Sequence, residues 1–194
     1  MKNENKKWST RELAIIGLMA ALVFVGSKIE IRFPTPLGGV TRFHLGNGIC
    51  IISGLILGAV QGGFAAGFGS FLFDVVFWGG NPIGWCITFI TKFIMAFLSG
   101  LCYQKRIFSG LGKIAAIILS GIIGELGYIA AYLTKEFVTF RIILENEMPA
   151  VKLMLIQKGI SSLVNAVIAV VLSVVLMMVL VPVLKKSGLL YDRK

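Results

Sequence analysis

Four ionisable side chains stand inside apolar stretches of this 194-residue sequence: Asp74, Lys92, Glu125 and Lys158. A charge placed in hydrocarbon is costly and usually marks a pathway, a proton relay or a ligand site. Two acids and two bases permit paired burial with no net charge. Their neighbours extend the pattern. Thr88 and Lys92 are four apart, Glu125, Tyr128 and Tyr132 follow i, i+3, i+7, and Lys158, Ser162 and Asn165 follow i, i+4, i+7. Each set therefore shares one helix face. His44 and Asn47 open one apolar stretch, and Trp78 and Trp85 flank the turn after another. Hydrogen-bonding groups beside aromatic surfaces suit a small polar heterocycle. The same groups can also serve only to clamp helices together, with Trp marking the membrane interface.

Catalytic and metal chemistry find little support. Gly110-Leu111-Gly112-Lys113 lacks the spacing of a phosphate-binding loop and the Ser or Thr after its Lys. There is no His-Glu-x-x-His pair and no Gly-x-Ser-x-Gly elbow. One His in the whole chain excludes a multi-histidine metal site. Cys50, Cys86 and Cys102 lie in apolar runs without ligand spacing and read as small hydrophobes.

The elements that must position these groups are membrane helices. The chain is 57% apolar and 14% charged, with a mean hydropathy of +0.89, against roughly 25% charged in soluble domains. That composition excludes disorder and an ordinary soluble fold. Apolar runs broken by charge, Gly and Pro predict an all-α integral membrane domain over residues 1–194. Six spans are expected, near 13–28, 45–60, 62–77, 83–103, 112–133 and 151–184, since a crossing takes about 20 residues. The second and third are divided by Gln61-Gly62-Gly63, because one helix from Leu45 to Phe77 would run about 50 Å. The first run follows Lys2, Lys6 and Lys7 like a signal peptide, but without a small-x-small cleavage site it is expected to stay as a helix.

Basic residues set the orientation. With the N-terminus inside, the inner segments hold Lys2, Lys6, Lys7, Arg11, Lys105, Arg106, Lys113, Lys185, Lys186, Arg193 and Lys194. The outer segments hold Lys28, Arg32, Arg42, Lys135, Arg141 and Lys152, so the ratio is 11 to 6. Both termini are expected in the cytoplasm. The net charge of +10 divides into +8 inside, +2 outside and zero in the spans, so it reads as membrane anchoring and not as nucleic-acid binding. On this frame Asp74 lies about one turn from the outer membrane face, and the other three charges sit roughly 11–15 Å inward.

Two outer segments have the character of covers. Residues 29–44 alternate apolar and polar on both sides of a Pro/Gly turn, a hairpin pattern, which predicts a lid carrying His44. Residues 134–150, with Glu136, Arg141, Glu145 and Glu147, read as a second, partly amphipathic cover. Gly54, Gly58, Gly62, Ala66 and Ser70 recur every four residues, and Gly17 and Ala21 repeat the spacing on the first span. Small residues in that register let helices approach closely.

The ordered set of motifs resembles a known family. Thr10-Arg11-Glu12-Leu13-Ala14 opens a helix with Gly17-x-x-x-Ala21, and a Pro/Gly loop leads to Phe43-His44-Leu45-Gly46-Asn47. Then come Leu57-Gly58-x-x-x-Gly62-Gly63-x-Ala65-Ala66-Gly67-x-Gly69-Ser70, Leu72-Phe73-Asp74 and Thr91-Lys92. Over residues 10–105 this resembles the substrate-binding S component of energy-coupling factor transporters, in particular the group of riboflavin and other vitamin S components. The resemblance implies a six-helix fold with a site near the outer face, capped by loops. It also implies capture of a vitamin or precursor, and partnership with a membrane T component and two ATPase subunits in a prokaryotic cell membrane. ATP would be used by those subunits, with no cofactor in this chain. The family's docking motif carries over to Gly17 and Ala21, with Gly where Ala is usual.

Expected site residues are Asn47, Asp74, Lys92, Glu125, Tyr128, Lys158 and Asn165, with His44 on the lid and no catalytic or metal-binding residue. Two other functions stay open on the residues alone: an intramembrane enzyme using Asp74 and Glu125, and a carrier that works without partners. Pantothenate, pyridoxine-like compounds, the hydroxymethylpyrimidine of thiamin and riboflavin all suit a polar, mixed-charge site.

Overall fold

The computed structural model describes residues 8–34, 40–77, 79 and 82–186. The turn at 35–39, Trp78, and the terminal Lys2, Lys6, Lys7, Arg193 and Lys194 lie outside the described residues. Helix α1 spans Thr10–Lys28 and starts with a capping box, in which the Ser9 hydroxyl receives the Glu12 amide and the Glu12 carboxylate receives the Ser9 amide. A two-stranded antiparallel hairpin follows, β1 (Glu30–Pro34) and β2 (Val40–His44), as the alternation of residues 29–44 predicts. Then come α2 (Gly46–Leu57), α3 (Ala59–Phe77), α4 (Pro82–Gln104), α5 (Lys113–Phe137) and α6 (Met148–Lys186). A π-helical turn at Val138–Ile143 prolongs α5.

The all-α membrane class holds, with the hairpin added to it. Five of the helices are long and apolar enough to cross a membrane, and α2 is the exception. Its 12 residues rise about 18 Å, against about 30 Å of hydrocarbon. The break between α2 and α3 falls at Gly58, one turn before Gln61-Gly62-Gly63. Gly58 has φ +94°, a conformation that side chains resist, whereas Gly62 and Gly63 stay helical and serve packing. The segment read as a second cover, 134–150, is mostly helical. Lys135 and Lys158 both reach the Glu136 carboxylate, at 2.7 and 3.1 Å.

Helix α2 forms the centre. Cys50, Ile51, Ile52 and Ser53 are all fully buried, enclosed by α1, α3, α4 and α6; a helix apolar on every side must be covered on every side. The outer helices turn large apolar side chains outward, among them Leu18 and Val25 on α1 and Val167 and Val171 on α6, as lipid contact requires. Close approach comes from glycine. A β-carbon at Gly100 would stand 2.8 Å from the Ala59 amide nitrogen, and one at Gly63 would stand 2.8 Å from the Phe93 ring. Around the α3–α4 seam Phe64, Phe68, Phe89, Phe93 and Phe97 form a continuous aromatic ladder.

This packing makes a prediction about glycine. Gly100→Ala should lower stability in detergent by about 1–3 kcal/mol, the usual cost of overpacking a tight core. Gly17→Ala, where nothing lies within 4 Å of the new methyl, should be neutral or slightly stabilising. Thermal unfolding of both variants checks this, and equal midpoints would contradict it.

Candidate functional site

The C-terminal ends of α1, α3 and α5 meet the N-terminal ends of α2, α4 and α6 at one end of the bundle, where the hairpin also lies. A cavity of about 120 Å³ opens there. Ser27 of α1 lines it, with Arg42 and His44 of β2, Ser70, Phe73 and Asp74 of α3, Thr88, Thr91 and Lys92 of α4, and Tyr128, Tyr132 and Lys135 of α5.

Lys92 is the most constrained of these groups. It is only 5% exposed, and its ammonium donates to Asn47 Oδ1 at 2.5 Å while sitting 3.8 Å above the centre of the Tyr128 ring. Asn47 is in reach because α2 begins immediately after the hairpin, which places its first turn against the middle of α4. The Tyr128 and Tyr132 rings stack at 5.8 Å, as the i, i+4 relation on α5 requires. Glu125 is buried with neither carboxylate oxygen in a hydrogen bond; the Lys92 ammonium and the Asn47 amide are the polar groups nearest in influence. Asp74 accepts a 2.6 Å bond from the Thr88 hydroxyl.

The hairpin register sets the cavity roof. Glu30 pairs with His44 and Arg32 with Arg42, so these four share one face, and Ile31, Phe33 and Phe43 take the other. Arg42 reaches Glu30 at 3.3 Å. Its carbonyl accepts a 2.7 Å bond from Asn165 of α6, which ties the hairpin to the bundle. His44 Nδ1 is buried without a partner. Burial, reinforced by Lys92 and then Arg42, holds this imidazole well below its ordinary value of 6.5, so it is neutral at pH 7.

A family model described as "ECF-type riboflavin transporter, S component" matches residues 7–182. The chain belongs to that family. It is a substrate-binding subunit of a transporter, as its motifs suggest, and a multi-pass membrane protein. No curated protein matches the sequence.

Seen in this S component, the expected site residues separate into three groups. Asp74, Lys92, Tyr128 and His44 line the cavity. Asn47 and Glu125 stand behind Lys92 and are not part of the lining. Lys158 and Asn165 act elsewhere: Lys158 joins Glu136 across the α5–α6 contact, and Asn165 holds the hairpin. Asp74 and Glu125, the carboxylates an intramembrane enzyme would use, do not both face the cavity. Ser27, Ser70 and Arg42 line it without having been singled out for it. Arg42 had a signal, since strand alternation places it on the face of His44. Gly17 and Ala21 are exposed on α1.

The neutral His44 gives a pH dependence with a defined sign. As pH falls below 6.5, the unfolded imidazole takes up a proton that the folded one refuses, so stability falls with pH until the folded group also protonates. Wild-type protein should therefore lose thermal stability relative to His44→Asn in that range. Parallel pH profiles would contradict it.

Proposed function

We propose that this S component captures a vitamin or vitamin precursor in the cavity beneath the hairpin, from outside the cell. The hairpin closes over the ligand, and reorientation with a membrane T component and two ATP-hydrolysing subunits releases it inward. The excess of basic residues on the opposite side supports the outward placement of the cavity, in a prokaryotic cell membrane. Family membership supports the partners, with Gly17 and Ala21 as the docking surface on the lipid-facing side of α1.

The single observation that carries this reading is the buried ammonium of Lys92 at a cavity wall, held by Asn47 and Tyr128. Lys92 is also one of the residues that line the cavity, which a charge serving only to clamp helices need not be. Lys92, Asp74 and Tyr128 contact the ligand, and His44 covers it. Asn47 and Glu125 orient and balance Lys92, while Lys158 and Asn165 brace the wall and roof. The chain itself needs no cofactor.

Protein purified in mild detergent should carry a stoichiometric small molecule, visible by mass spectrometry. Lys92→Gln should weaken its binding by about 10- to 100-fold, the equivalent of one charge-assisted hydrogen bond of roughly 1.5–3 kcal/mol. Lys105→Gln, exposed beyond the far end of α4, should not change affinity. Unchanged affinity in folded Lys92→Gln protein would overturn the assignment of this pocket.

A further inference from the structure

The geometry points to a ligand built on one six-membered nitrogen heterocycle, not a fused tricycle, with an N–H donor edge toward Asp74 and an acceptor toward Lys92. This inference rests on the cavity being the binding site proposed above.

Size is the first observation. The cavity measures about 120 Å³, close to the roughly 150 Å³ of an engineered apolar cavity that takes up benzene. One substituted ring fits that space; three fused rings with a polyol chain require several times more. The walls also resist widening. The α3–α4 wall is interlocked, since the Phe89 and Phe93 rings occupy the hollows left by Gly67 and Gly63, where a β-carbon would stand 2.8 Å away. The floor is closed by the Lys92–Asn47 bond, and the roof is tied to α6 through Asn165.

The polarity of the lining is the second observation. Two cations at the cavity make ion pairs, Arg42 with Glu30 and Lys135 with Glu136, while Lys92 donates to Asn47 and lies in the fields of both Glu125 and Asp74. Asp74 differs. Among the described residues it is held by the Thr88 hydroxyl and makes no ion pair. It therefore offers its charge to a ligand that brings N–H donors, as the ring N–H and amino group of an aminopyrimidine or the N–H of a protonated pyridine would. Opposite, Lys92 keeps donors beyond the one given to Asn47. The enclosed, partnerless Nδ1 of neutral His44 calls for a hydroxyl that can supply or accept a proton. Phe73 and Tyr132 bring aromatic side chains to the lining. A hydroxyl-bearing pyrimidine or pyridine meets all of these demands together.

Calorimetric titration of the purified, ligand-stripped protein tests this with four probes: 4-amino-5-hydroxymethyl-2-methylpyrimidine, pyridoxine, riboflavin and pantothenate. One of the two single-ring probes should bind at least 100-fold more tightly than riboflavin or pantothenate. Asp74→Asn should weaken that binding by at least tenfold. Riboflavin or pantothenate binding best would overturn the inference while leaving the cavity as the binding site. Tight single-ring binding that ignores Asp74→Asn would overturn the donor-edge assignment. If none of the four binds a protein that still unfolds cooperatively, the vitamin-site reading falls, and this inference with it.

Discussion

Burying the ammonium of Lys92 at membrane depth is the constraint on which the rest of this structure turns. Insertion of a Lys at a helix centre costs about 2.5–3.5 kcal/mol, so the charge persists only where the fold supplies partners. It has three: the Asn47 carbonyl, the Tyr128 ring and the field of Glu125. They come from two other helices, so α2, α4 and α5 must converge within side-chain reach of one point. Helix α2 has 12 residues and opens directly from the hairpin, with Asn47 of its first turn at the level of Lys92.

Convergence on that scale depends on the small residues. Gly54, Gly62 and Gly100 place backbone against backbone where α2, α3 and α4 meet, and the aromatic ladder fills the seam between α3 and α4. With no hydrophobic driving force between helices in lipid, close van der Waals contact supplies much of the association energy. The same contact keeps the cavity from collapsing or spreading. The α3–α4 side is interlocked through its glycines and rings, and the hairpin is tied to α6 through Asn165.

The sequence exposed the charges and the small-residue register because both break the rules of their surroundings. A Lys among Phe and Ile, or a Gly every fourth residue, needs a reason. The hairpin was legible from strict alternation around a Pro/Gly turn. Less visible was which charge meets which. Lys158 and Asn165 share a helix face with Ser162, and spacing on one helix says nothing about its partner helix. Only the packing of α6 against α5 and β2 shows that these two residues brace the site. The α2–α3 boundary misled for a similar reason, since Gly58, Gly62 and Gly63 look alike in sequence and only φ separates the breaker from the packers. The two lysine partners of Glu136, one of them on α6, were likewise beyond what its spacing could show.

Most of the polar groups in the cluster beneath the hairpin can thus be given separate tasks, and the central claim is that Lys92 belongs to a ligand and not merely to the fold. The most direct measurement is an experimental structure of the protein with its co-purified ligand. The account predicts density between Asp74, Tyr128 and Lys92 beneath His44, with the ammonium within hydrogen-bond distance of a ligand atom. Ligand density at another place in the bundle, with Lys92 still sealed between Asn47 and Tyr128, would contradict it.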